Sequence, residues 1–106
     1  MIEYLKIGYR RYRVESLDAD EARRVGRYGD WDEEHGLIRV ADGRRSDHQA
    51  ETIIHEALHA IVHDMGAGLA DEENETLVTR LTPRLTAFLA DNPDEVRELL
   101  GMLTHA

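Results

Sequence analysis

His55-Glu56-Ala57-Leu58-His59 sets two imidazoles four residues apart, with a carboxylate beside the first. On a helix, such histidines stand one above the other on one face, so both rings can reach a single metal ion. Glu56 points about a third of a turn away. Its carboxylate then lies beside the metal's open position and outside the ligand set, where it suits a general base for an activated water. The chemistry implied is zinc-assisted hydrolysis. In a chain with 6 histidines and 12 glutamates, the string arises by chance about 4% of the time.

A catalytic zinc takes three protein ligands and a water, so one ligand is still to be found. His63 continues the stripe, but it lies about 12 Å along the axis from His55, and two ligands of one zinc sit only about 3–4 Å apart. The better source is the next helix, reached through the glycine-containing turn around Gly66 and Gly68. It offers Asp71, Glu72, Glu73 and Glu75. Glu75 stands one turn before Val78, on the side expected to pack on the first helix, and is the favoured ligand. Glu72 is the alternative. Glu73 is expected to face solvent and Asp71 to act as a cap.

The elements that must position these groups fall into two halves. Residues 1–45 read as mainly β. Ile2 to Ile7 and Tyr12 to Leu17 make strands joined across Gly8-Tyr9-Arg10-Arg11, a polar and potentially helical stretch spans Asp18 to Arg24, and Gly26 to Trp31 with Leu37 to Ala41 form a second hairpin. Residues 46–106 read as mainly α. Ser46 with Gln49 predicts a capping box and a helix from Asp47, in which Ile54, Ala57, Leu58, Ile61 and Met65 face the core. A second helix starts near Asp71 and buries Leu77, Val78, Leu81, Leu85, Phe88 and Leu89. Pro83 should kink it or break it in two, with Thr82 capping the second piece. A third opens with Asn92 as cap and Pro93 at its first position, and buries Val96, Leu99, Leu100 and Leu103. The expected fold is a single α+β domain over 1–106, with a small antiparallel or mixed sheet on the HExxH helix and two or three C-terminal helices.

Composition narrows the function classes. There is no cysteine, so any zinc is held by nitrogen and oxygen. No apolar stretch approaches a membrane span, and no basic region followed by an apolar core opens the chain, so a soluble, cytoplasmic protein is expected. The net charge of −9 is uneven. Residues 1–50 carry 10 basic and 11 acidic side chains, and residues 51–106 carry 3 and 11. The acidic half disfavours nucleic-acid binding, and the lone basic run Arg10-Arg11-Tyr12-Arg13 reads as a solvated hairpin.

The stretch from Thr52 to Met65, followed by Glu75-xx-Val78-xx-Leu81, resembles the gluzincin arrangement. It is similar to small zincin-like metallopeptidase domains of bacteria and their phages, including the ImmA/IrrE type. Arg80 to Pro83 and Asp91 to Pro93 resemble the tails of such compact proteins, and the likeness covers roughly residues 46–95. It implies His55, His59 and Glu75 as ligands of Zn2+, Glu56 as base, a peptide or protein substrate, and Leu37–Ala41 as a strand lining the cleft. Val78 stands where that group usually has a small residue. No DNA-binding module accompanies these residues, so the repressor-cleaving role of that group is not carried over.

Tyr28, Trp31, His35 and His48 are candidates for stabilising an oxyanion, each with an ordinary reading as well: core or packing edge for the first two, a turn for His35, the first helical turn for His48. Glu51, one turn before His55, is the visible candidate to orient a ligand ring. His105 is expected to fray. Two rivals to a peptidase stand. One is a non-catalytic zincin-fold module that binds peptide around a structural metal. The other is a plain α+β interaction protein in which HEALH is coincidental.

Overall fold

The computed structural model describes residues 2–66 and 68–105. Its first strands form because branched and aromatic residues alternate with charges. β1 (Tyr4–Ile7) and β2 (Arg10–Leu17) pair antiparallel with Ile7 opposite Arg10. The turn is therefore Gly8 and Tyr9 alone, shorter than the four residues expected, and Gly8 supplies φ 63°. The arginines of the basic run are spent on the hairpin surface, Arg11 over the Tyr4 ring and Arg10 over Tyr12.

Asp18 starts α1 (Ala19–Val25) by accepting from the N–H groups of Asp20 and Glu21, and Gly26 ends it in the left-handed region. β3 (Gly29–Asp32) and β4 (Leu37–Ala41) make the expected second hairpin. β4 pairs with β2 in parallel, from Arg13 opposite Leu37 to Leu17 opposite Ala41. The sheet order is β1-β2-β4-β3, which leaves β3 on one edge. A parallel pair needs a crossover, and α1 with β3 fills it. Ala22 of α1 packs with Leu17 and Ala41.

α2 (Ser46–Asp64) and α3 (Asp71–Asp91) complete the α+β layout with α4 (Pro93–Thr104). α2 has two buried faces, not one. Ala57 and Ala60 pack against Ile7, Tyr12 and Ile38 of the sheet, while Leu58 and Val62 meet Val78 of α3, with Ile54 and Leu85 beside them. Ile61 and Met65, expected in the core, are exposed: Ile61 falls between these two contacts, and Met65 is the cap residue at the helix end.

Other expectations are corrected. Ser46 is the first helical residue, Arg45 holds the cap position, and no side chain caps the helix. Gln49 does not reach back to close a box; its amide donates to the Ala41 carbonyl, and Asp47 pairs with Arg45. Asp71 is likewise inside its helix, whereas Glu73 faces solvent as expected while its carboxylate accepts from the Ala70 N–H. α3 runs unbroken through Pro83. The proline removes only one N–H and lies on the exposed side, where water can satisfy the freed carbonyl.

The apolar stripes of α3 and α4 are much less buried than their periodicity suggests. Only Val78 and Thr82 of α3 are buried, no residue of α4 is, and Leu77, Leu81, Phe88, Leu99, Leu100 and Leu103 are exposed. Periodicity reports an amphipathic helix but not whether a partner lies opposite it. Asn92 gives no side-chain cap to α4; its amide donates to the Phe88 carbonyl. Among the described residues, no helix is long and apolar enough to cross a membrane.

Candidate metal centre

α2 delivers His55, Glu56 and His59 to a cleft of about 960 Å³ bounded by the edge strand β3 and the start of α3. Gly29, Asp30 and Trp31 of β3 form its wall. The strand lining the cleft is therefore β3, not Leu37–Ala41, since β4 is held between β2 and β3 inside the sheet. Gly29 permits the approach of strand to helix. A Cβ there would meet Thr52 Cγ2 at 2.5 Å and the Arg39 carbonyl at 2.8 Å. Gly29→Ala is expected to cost about 1–3 kcal/mol in denaturant unfolding, because wall and helix must separate.

The candidate ligands converge. His55, His59 and Glu75 each offer an atom, all within 4.8 Å of one another, and the group could bind a metal ion. His59 Nε2 lies 3.0 Å from Glu75 Oε2 and 3.2 Å from His55 Nε2, and His55 Nε2 lies 3.7 Å from Glu75 Oε1. Glu72 and His63 are not in this group. His63 lies beyond it, tilted against Trp31 at 5.4 Å between ring centroids.

The hydrogen bonds on the far sides of the two rings decide what this convergence means. Thr82 Oγ1 donates its single hydrogen to the Val78 carbonyl at 2.7 Å, so it can only accept from His55 Nδ1 at 3.2 Å. Asn74 presents Oδ1 to His59 Nδ1 at 2.7 Å, and a carbonyl oxygen also only accepts. In the neutral tautomer that these partners select, each ring carries its hydrogen on Nδ1 and turns its Nε2 inward. Two lone pairs and a carboxylate oxygen then face one another at 3.0–3.7 Å, a grouping that a proton or a metal cation among its members would hold together, and it matches the nitrogen and oxygen donors a divalent metal takes. Burial first, and the neighbouring His59 second, hold the His55 pKa below its ordinary value although Glu75 pulls it up. That favours the neutral ring a metal requires.

Asn74 and Thr82 were missed as site residues, Thr82 having been read as a cap, and Glu51 makes no hydrogen bond to His55 among the described residues. The signal lay in the second helix. Asn74, Val78 and Thr82 recur at a spacing of four, so the stripe that carries the buried Val78 also carries a polar group one turn to either side. Asn74→Ala and Thr82→Val should each weaken metal binding about 10–100-fold in competition with a chelator, with the ligands still present.

The chain matches no family model, no curated protein and no solved structure. Its site is thus read from its own geometry. Glu56 forms part of the floor, only 8% exposed. Burial first, then the charges of Asp30 and Glu75, push its carboxyl up to about 7, against a smaller pull from Arg27. Trp31 stacks on His59 with centroids 6.1 Å apart and planes 13° apart, which fixes the ring against rotation. Of the four oxyanion candidates, Tyr28, Trp31 and His48 line the cleft. His35 does not. It lies in the β3–β4 turn, its ring paired with Asp32 at 2.7 Å.

Proposed function

We propose that this protein is a zinc-dependent metallopeptidase whose metal is held by His55, His59 and Glu75. The observation that carries the reading is the inward pair of Nε2 atoms beside a carboxylate, fixed by Thr82 and Asn74, with a buried carboxyl next to them. A zinc ion bound there supplies Lewis acidity, which acidifies a water and polarises a carbonyl. The chain's own part is proton handling. Glu56, with a proton affinity near neutrality, accepts a proton from the attacking water and returns it to the departing amine.

A peptide is the substrate that best suits the cleft. β3 is an edge strand, so its outer backbone N–H and C=O groups are free to pair with an extended chain laid along the wall. Two other carboxylates of the cleft have assigned tasks: Asp30 is held by the Arg39 guanidinium and Glu75 faces the histidines.

The test is a peptide library incubated with zinc-loaded protein, with and without chelator. Cleavage that stops with chelator and returns with zinc is expected. A fully loaded protein that cuts nothing in the library would make the site a structural or peptide-holding one.

A further inference from the structure

Carboxylates outnumber cationic side chains by nine in this chain, yet two arginines at the cleft form no ion pair among the described residues. Arg10, Arg13, Arg23, Arg24, Arg39, Arg45 and Arg97 all pair with acids. Among the described residues Arg27 and Arg44 form no ion pair, and both line the cleft. Arg44 is nonetheless held in place. Its guanidinium carbon sits 3.7 Å above the centre of the Tyr28 ring, and its Nη2 is 3.3 Å from His48 Nδ1. Tyr28 is in turn anchored by its carbonyl, which accepts from the Ala41 N–H at 2.7 Å, while the residue is 60% exposed. Arg27 precedes it in the chain, and its positive charge is felt at the Glu56 carboxyl. One guanidinium and an aromatic ring are thus fixed in the cleft wall, and Arg27, exposed and next to Tyr28 in the chain, adds a second guanidinium to the same cleft.

The acids of the cleft do not cancel them. Asp30 is occupied by Arg39, and Glu75 faces the histidines. Asp71 belongs to the first turn of α3, and the charge of Glu51 acts on His55. The cleft thus carries cationic groups on the segment around Tyr28 and acidic groups on the first turns of α3.

We propose that Arg27 and Arg44, with Tyr28, form a subsite for a peptide carboxylate, so that the substrates are peptides bearing an acidic group near the bond to be cut. The planar forks match a carboxylate, and the tyrosine face keeps one of them pre-aligned. The subsite rests on the cleft being a peptide site, but it is testable without turnover.

The experiment is an NMR titration of the wild-type protein, kept metal-free with chelator so that nothing is cleaved. The probes are acetylated alanine–serine nonapeptides with an amidated C-terminus, in pairs that carry glutamate or glutamine at one scanned position. A third arm uses the glutamine peptides with a free C-terminal carboxylate. At one position, or with the free terminus, the acidic peptide should bind about 10-fold more tightly than its neutral twin. Shifts should centre on Arg27, Tyr28 and Arg44. Which arm responds tells a side-chain carboxylate from a terminal one. In Arg27→Gln/Arg44→Gln, at one exposed and one half-buried position, the preference should fall below about twofold with the melting temperature unchanged. Arg27→Lys/Arg44→Lys should keep part of it. Equal binding of every pair, no binding by any acidic peptide, or a preference that survives the double glutamine change overturns the proposal. Library cleavage with no acidic preference in this titration removes the subsite and leaves the peptidase. A preference without any cleavage by the loaded enzyme does the reverse.

Discussion

Zinc-loaded Glu56→Gln protein is expected to keep its metal and lose peptide hydrolysis by about 10²–10⁴-fold. The amide has nearly the volume of the acid, so the cleft floor keeps its shape. It cannot take a proton from water at neutral pH, so the step assigned to Glu56 has no acceptor. Because Glu56 is not in the ligand group, zinc stoichiometry and affinity should change little. The check is turnover of a cleaved library peptide beside metal content by mass spectrometry. Retained turnover in a fully loaded variant would remove Glu56 from the chemistry.

The same substitution should stabilise the protein when it carries no metal. Burial and two neighbouring acids raise the folded-state Glu56 carboxyl from an ordinary 4.5 to about 7. Between those values the folded chain holds a proton that the unfolded chain has released. Stability therefore falls as pH rises across that window. The whole window is worth up to about 3 kcal/mol, and Glu56→Gln should not lose it. In urea unfolding with chelator present, the variant's advantage over wild type should grow from pH 4.5 to pH 8 and then level off. His55 works in the opposite sense, since its lowered value adds stability as pH rises toward the ordinary histidine range. It is present in both proteins and largely cancels in their difference. A difference that stays flat with pH would mean that the Glu56 carboxyl is not perturbed. One residue thus illustrates a general trade: the buried carboxyl that suits proton transfer is a burden on the empty fold.

How much of this was legible in the sequence depended on whether a signal was local. The HExxH spacing, the placement of Glu75 one turn before Val78, the two hairpins and the α1 segment all rest on contacts within a few residues, and those elements are found. The parallel pairing of β2 with β4 was not legible, because a strand pattern does not say which neighbour it will take. That pairing is what makes β3, and not β4, the cleft wall. Helix faces were misread for a related reason. Ile61 and Met65 keep helical spacing with Ile54, but α2 is pinned by small alanines on the sheet side and by Leu58 and Val62 on the α3 side. The α3 and α4 stripes looked like core because apolar periodicity is the same whether or not anything covers it. Ser46 and Asn92 were reasonable caps by type, yet Gln49 and Asn92 found nearer carbonyls. Asn74 and Thr82 were hidden because each acts on a histidine from a different helix.

The central claim is that two imidazoles and one carboxylate from adjoining helices hold a single metal ion. X-ray absorption at the zinc edge, on protein loaded with one equivalent, tests it most directly. The account predicts two imidazole nitrogens at about 2.0–2.1 Å with a low-coordinate nitrogen and oxygen shell. It predicts that His59→Ala and Glu75→Ala each change that shell. A zinc surrounded by oxygen alone, or a spectrum indifferent to both substitutions, would contradict it.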